Sequence, residues 1–341
     1  MRLALLALVA AVAFPRALGA ATVRPEVVRT LPHDPTAFTQ GLVYHQGRLL
    51  ESTGLRGRST LRLVVPETGV VERRVEVASD RFGEGLALVG SELIQLTWQE
   101  HVALRYGLDF ESRGTFEYEG EGWGLCYDGA RLVMSDGSSK LTFRDPKTFA
   151  ITGELDVTSD GVPLRNLNEL ECVGSIVYAN VWQTDTIARI DAASGRVITR
   201  IDASGLLTPS EAARADVLNG IAFDAKSGHF FLTGKLWPKL FEVRFPFDPG
   251  SADGPDASLP APSNTPAVDA GLPSARAVVA QPSSESRERA ASSPAPIPPS
   301  SSCGCRMESV ARAKSVWCAP LALGVLCHAR RRRSSLVNKR R

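Results

Sequence analysis

Glu84, set between glycines in Phe82-Gly83-Glu84-Gly85, is the residue whose type and neighbours best suit proton transfer. Related segments put Gln40, Trp123, Glu169 and Asn219 at matching positions directly before an apolar hairpin, with Trp98, Asp136, Trp182 and Lys235 at or near its end. Tryptophans exclude water and so raise the pKa of a nearby carboxyl, which is how a glutamate becomes a proton shuttle near neutral pH. The competing reading is plain packing: Trp98, Trp123 and Trp182 fill space between sheets, and Glu84 is a solvated loop acid. Other chemistries lack their residues. His33, His45, His101, His229 and His328 are scattered, with no two at zinc-ligand spacing. There is no phosphate-binding glycine loop and no Gly-x-Ser-x-Gly turn.

The elements that must position these residues form a repeat. Five segments, from Gln40, Glu84, Trp123, Glu169 and Asn219, each read as an apolar run, a glycine-containing turn and a second apolar run, which is a β-hairpin. Anchored on Gly41, Gly85, Gly124, Leu170 and Gly220, they step by 44, 39, 46 and 50 residues. Between them lie further alternating hairpins, so each unit has four strands. An all-β chain with this period predicts a five-bladed β-propeller, its inner strands bringing these side chains to one mouth of the central channel. The fifth unit has a third strand at Lys239 to Phe245 but no fourth. Val27 precedes Gly41 by 14 positions, as Val71 precedes Gly85. Glu26 to Leu31 is therefore expected to complete the last blade and close the ring, removing an exposed sheet edge. The propeller is expected to span residues 21–247.

The chain has 341 residues, 43% hydrophobic and 22% charged, enough for a real core and unlike a disordered or polytopic membrane protein. Its net charge of +2 conceals a split: residues 303–341 hold ten Lys or Arg against Glu308 alone, leaving the first 302 residues at −7. The acidic body argues against nucleic-acid binding. Residues 1–20, with Arg2, an apolar run from Leu3 to Phe14 and small residues near Gly19 to Ala21, read as a secretory signal peptide. Residues 248–302 are rich in Pro, Ser and Ala and read as a disordered linker. Of six cysteines, Cys126 and Cys172 lie in the body. Export would allow them to oxidise, but two thiols make no disulfide framework, and both are expected to be buried small hydrophobes.

The order of linker, Cys303-Gly304-Cys305, apolar Val316 to Ala329 and Arg330 to Arg333 resembles the C-terminal sorting signals of myxobacterial surface proteins, called MYXO-CTERM. Its apolar run is shorter than the about 20 residues of a membrane span, and Ser334 to Arg341 follow the arginines. The resemblance implies cleavage near the cysteines and anchoring at the cell surface, with membrane contact only through residues 303–341; the bland alternative is a basic tail without a sorting role.

Within the body, HDPTAFTQGL, STGLRG, FGEGL, LTWQE, GEGWGL, SDGS, LNELE, ANVW, LNGIA and LTGKLWP follow in this order and resemble the plant and bacterial type of glutaminyl-peptide cyclotransferase, a propeller enzyme. The resemblance covers nearly all of Thr30 to Phe247. It implies cyclisation of N-terminal glutamine on peptides and proteins to pyroglutamate, with loss of ammonia. Glu84 is then the acid/base, with Asn168 and Lys235 beside it and Phe38, Gln40, Phe82, Trp98, Trp123 and Trp182 holding the substrate. No cofactor is implied, no metal residue is assigned, a structural calcium ion is allowed, and a monomer is expected. The alternative from another class is a non-enzymatic surface propeller that binds a peptide or glycan at the same mouth.

Overall fold

The computed structural model describes residues 19–247. The expected signal peptide, apart from its last two residues, and the expected linker and sorting tail lie outside the described residues.

Five antiparallel sheets form the blades, each ordered from an innermost to an outermost strand. Blade one comprises Thr39–His45, Arg48–Thr53, Thr60–Val64 and Val71–Glu76; blade two comprises Gly83–Val89, Glu92–Thr97, Val102–Gly107 and Ser112–Glu117. Blade three comprises Leu125–Tyr127, Leu132–Ser135, Lys140–Arg144 and Ile151–Asp156, and blade four Leu167–Val173, Ile176–Val181, Thr186–Asp191 and Val197–Asp202. Blade five takes Leu218–Asp224, His229–Gly234 and Lys239–Arg244 from the end of the domain and Glu26–Pro32 from its beginning. Burial follows the sequence pattern. The inner strand of blade one is buried over Thr39 to Leu42, whereas its outer strand, Val-Glu-Arg-Arg-Val-Glu, has no buried residue.

The ring closes as the spacing predicts. Glu26–Pro32 runs antiparallel to Lys239–Arg244, with Val27 opposite Val243 and Leu31 opposite Leu240. The innermost strand of each blade touches those of both neighbours, including blade five against blade one. The structure adds strands to this plan: Ala21–Val23 pairs parallel with Val197–Asp202 and gives blade four a fifth strand, and Thr158–Ser159 pairs with Val162–Pro163 in a small separate ribbon. Two or three residues are too few to show alternation, so these pairings have no sequence signature.

Each seam between blades is packed by its own apolar cluster. Leu86 and Leu93 of blade two are sealed against Leu50 and Leu61 of blade one; burying one such side chain contributes about 1.5–3 kcal/mol. The anchor glycines have a steric reason. A Cβ on Gly85 would lie 2.5 Å from Leu125 N, and one on Gly124 would lie 2.0 Å from Asn168 O, so the inner strands approach closely only because these side chains are absent.

That approach also corrects the expectation for the cysteines. Cys126 and Cys172, on the inner strands of blades three and four, have Cα atoms 5.5 Å apart, within disulfide range, and are joined.

Candidate active site

All five inner strands reach the channel mouth at equivalent register positions, and four of them are irregular there. Pairing slips between Thr39 and Gly41, Gly83 and Leu86, Leu167 and Leu170, and Leu218 and Ile221. Gln40, Glu84, Asn168 and Asn219 therefore sit on β-bulges, which re-aim a side chain away from the ladder. In blade three the strand is cut short, and Trp123 takes the same position just before Leu125. This register corrects the repeat alignment in blade four: Leu170 pairs as Leu86 does, so Asn168 is the partner of Glu84 and Glu169 stands where other blades have glycine. Asn168, expected only from the family resemblance, is the residue in the ring.

Neighbouring blades pin the bulges. The Ser52 hydroxyl donates to Glu84 O, Ser135 Oγ donates to Asn168 O at 2.6 Å, and Gly220 N donates to Asn180 Oδ1 at 3.0 Å. Gln40 is fixed from both ends of its amide: Asn219 Nδ2 donates to Gln40 Oε1 at 3.1 Å, and Gln40 Nε2 donates to Glu84 Oε1 at 2.9 Å. Gln40 thus orients the glutamate and keeps the second N–H of its amide for a substrate.

Glu84 is buried, and burial drives its carboxyl well above the usual carboxylate range; the nearby charges of Glu100 and Glu121 push the same way, and Lys235 opposes them. The solvated-acid reading fails on this point. Glu169 is buried and raised too, but its oxygens are both occupied, by Leu42 N at 3.2 Å and Ile221 N at 2.8 Å. The Glu84 carboxyl accepts only the Gln40 bond among the described residues. Of Glu84 and Glu169, only Glu84 has a carboxyl oxygen available for chemistry.

The aromatic residues stand half-buried around it. Phe38 meets Phe82 edge-on at 6.1 Å, Phe82 meets Trp98 at 5.7 Å, and Trp123 meets Trp182 at 5.5 Å. Register puts Gly54, Trp98, Gly137, Trp182 and Lys235 at one equivalent exit position. Gly137 replaces the expected Asp136 there. The two glycines make room: a Cβ on Gly54 would lie 2.3 Å from the Phe82 ring, and one on Gly137 would lie 2.7 Å from the Trp123 ring. Lys235 is buried with Nζ 4.9 Å from the Phe38 ring centroid, and burial lowers its pKa against the pull of Glu84 and Asp216. Asn168 is buried, and its Oδ1 has no hydrogen-bond partner.

One residue escaped sequence reasoning. Glu121 Oε2 accepts from Trp98 Nε1 at 2.8 Å and from Trp123 Nε1 at 3.0 Å, while Oε1 accepts from Gln99 Nε2 at 3.0 Å. Burial acts to raise its pKa, but the bonds from Gln99, Trp123 and Trp98 outweigh it and hold Glu121 below the usual range. One anion therefore sets the rotamers of two walls. The only signal was its place in Gly-Glu-Gly-Trp-Gly, two residues before Trp123. Among the described residues, no three His, Cys, Asp or Glu side chains stand together as a metal site.

Comparisons with known proteins point to one family. The profile of the family described as glutamine cyclotransferase matches residues 2–245. Glutaminyl-peptide cyclotransferase of Arabidopsis thaliana is 44% identical over 225 residues, spanning 64% of this chain and 70% of its own length. The crystal structure of Myxococcus xanthus glutaminyl cyclase superposes with a TM-score of 0.63 at 43% identity, covering 66% of this chain and 98% of that one. By the extent of that match the chain belongs to the glutamine cyclotransferase family.

Proposed function

We infer that the protein converts the N-terminal glutamine of peptides and proteins to pyroglutamate and releases ammonia. One observation carries the assignment of the chemistry to a residue: Glu84 is a buried, pKa-raised carboxyl with one oxygen uncommitted, in a setting of half-buried aromatic rings.

In the proposed reaction the substrate's α-amino nitrogen bonds to the carbonyl carbon of its own side-chain amide. Holding the folded-back conformer makes that step intramolecular. The attacking nitrogen gives a proton to the Glu84 carboxylate, the tetrahedral centre forms, and Glu84 returns the proton to the amide nitrogen. The C–N bond breaks, NH3 leaves and the lactam remains. A carboxyl with a raised pKa suits both transfers, because neither direction is strongly uphill. Asn168, whose Oδ1 has no partner among the described residues, positions the carboxamide, and Lys235 offsets the charge developing on its oxygen. The rings of Trp98, Trp123, Trp182, Phe38 and Phe82 clamp the glutamine stem and keep water from competing. No cofactor enters this scheme, and any bound calcium would serve the fold.

The assay is direct. A Gln-initiated peptide incubated with the purified protein should lose one ammonia by mass, and the same peptide N-acetylated should not. Unchanged mass of the free peptide would leave the site a binding pocket for peptide or glycan.

We further propose that the enzyme is exported by its N-terminal segment, acts as a monomer and is held at the cell surface by the segment around Cys303 and Cys305. Replacing both cysteines by Ala in the native host should release it to the medium. Identical fractionation of variant and wild type would remove the sorting role.

A further inference from the structure

The seam between blades five and one is built differently from the other four, and the difference lies at the mouth. In the second and third strands, Gln95 faces Leu104 in blade two, Met134 faces Thr142 in blade three, Ala179 faces Ala188 in blade four and Leu232 faces Phe241 in blade five. In blade one the same pair is Glu51 and Arg62, both buried. Arg62 is held by Asp34 at 2.8 Å and donates to Thr60 Oγ1 at 2.8 Å; Glu51 takes bonds from Thr39 and His33. The lower part of the seam is conventional, with Leu42, Leu49 and Val64 packed on Phe231 and Leu240.

Beside this polar layer, over the top of blade one, lies a cavity of about 240 Å³. It begins at Phe38 and crosses the top of blade one, past Thr53 and Thr60, to Arg74 and Glu76 on the outermost strand. Neighbouring strands lie about 4.8 Å apart, so this path, which crosses three such spacings, is on the order of 14 Å, the length of about four extended residues. Arg58, Arg62 and Arg74 line it against a single acid, Glu76, which Arg74 already pairs at 2.8 Å. Arg58 is exposed, and its guanidinium has no partner among the described residues. A body that is acidic as a whole thus carries an Arg-lined channel leading away from a pocket wall.

We propose that this cavity is the subsite for the residues that follow the N-terminal glutamine and that its arginines select an acidic side chain there. The proposal rests on the cyclase reading, since Phe38 both clamps the glutamine and opens the cavity. A peptide must leave the pocket somewhere, and this path starts at the clamp and has the length of a few residues.

The experiment compares kcat/KM for glutaminamide, which has no second residue, with Gln-Glu-Ala, Gln-Ala-Ala and Gln-Lys-Ala amides. An exposed charge pair predicts a preference of about 2- to 5-fold for Glu over Ala and a similar penalty for Lys, both fading at high salt. Arg58→Glu should reverse the order of the peptides and leave glutaminamide unchanged, and Arg74→Glu should act the same way more weakly. Equal turnover of the three peptides, or a preference that both variants leave intact, overturns the subsite while the cyclase reading stands. No turnover of any of the four would overturn that reading and the subsite with it.

Discussion

Replacing Glu84 by glutamine separates its chemical role from its structural one. The amide is the same size, and its oxygen can keep the 2.9 Å bond from Gln40 Nε2, so the scaffold of the site survives. What it loses is the transferable proton. General acid/base groups contribute roughly 10²- to 10⁴-fold, which at about 1.4 kcal/mol per tenfold is ~2.7–5.4 kcal/mol of barrier. Glu84→Asp keeps the proton but withdraws it by about one methylene, and a misplacement of about 1 Å costs on the order of 10²-fold.

Stability should move the other way. Because the folded state raises Glu84's pKa, it holds the proton more tightly than the unfolded chain does. The carboxyl is therefore least burdensome below about 4.5, its unfolded value, and becomes more so as pH rises from there through the folded pKa. Glu84→Gln removes that burden. Its melting temperature should match wild type near pH 4 and exceed it at pH 8, with turnover of a Gln-peptide, read by ammonia release, down 10²-fold or more. A folded variant within a few-fold of wild-type turnover would refute the shuttle, and a stability gap that shrinks as pH rises would refute the linkage.

Glu121→Ala should raise KM because Trp98 and Trp123 lose their common acceptor, whereas Glu121→Gln keeps an oxygen for both indoles and removes only the charge. The glutamine variant should therefore hold KM and shift the acid limb of the kcat profile to lower pH; two identical profiles would deny Glu121 its influence on Glu84. Chelators such as EDTA should leave activity intact, and loss restored by added Zn²⁺ would contradict the metal-free scheme. Replacing Cys126 and Cys172 by Ala should lower stability by about 4 kcal/mol in the loop-entropy account for a separation of 46 residues, read by denaturant unfolding against oxidised wild type. Truncation through Leu31 should reduce the melting temperature sharply, since it strips blade five of its fourth strand; an unchanged transition would show that Lys239–Arg244 needs no partner.

The propeller was legible because its two signals are local: alternation within strands and a recurring hairpin. Closure was legible too, since Val27 and Val71 stand at the same distance from their glycines. The error in blade four has a physical origin. Glu169 occupies an anchor position otherwise held by glycine, and a bulge of the inner strand hides a shift of one residue from any pattern of period two. The disulfide was closed to sequence reasoning because it depends on how near two inner strands come, which Gly124 decides from a distance. Glu121 was hidden for a similar reason: its role consists of two indole bonds made to different blades.

The propeller presents one backbone position five times around its axis, and this chain fills it with Gln40, Glu84, Trp123, Asn168 and Asn219. A symmetric choice would pack well and do nothing, since five like carboxylates repel and five amides cannot move a proton. Here one acid is buried, one amide orients it, a second amide orients the first, and a third has an oxygen without a partner among the described residues. Glu169 sharpens the point. It lies one residue from the ring and equally deep, yet main-chain N–H groups occupy both its oxygens, so its burial serves the seam. Depth and a raised pKa are common to both glutamates; the free oxygen beside the aromatic walls belongs to Glu84 alone, and there the fold gives up stability for chemistry.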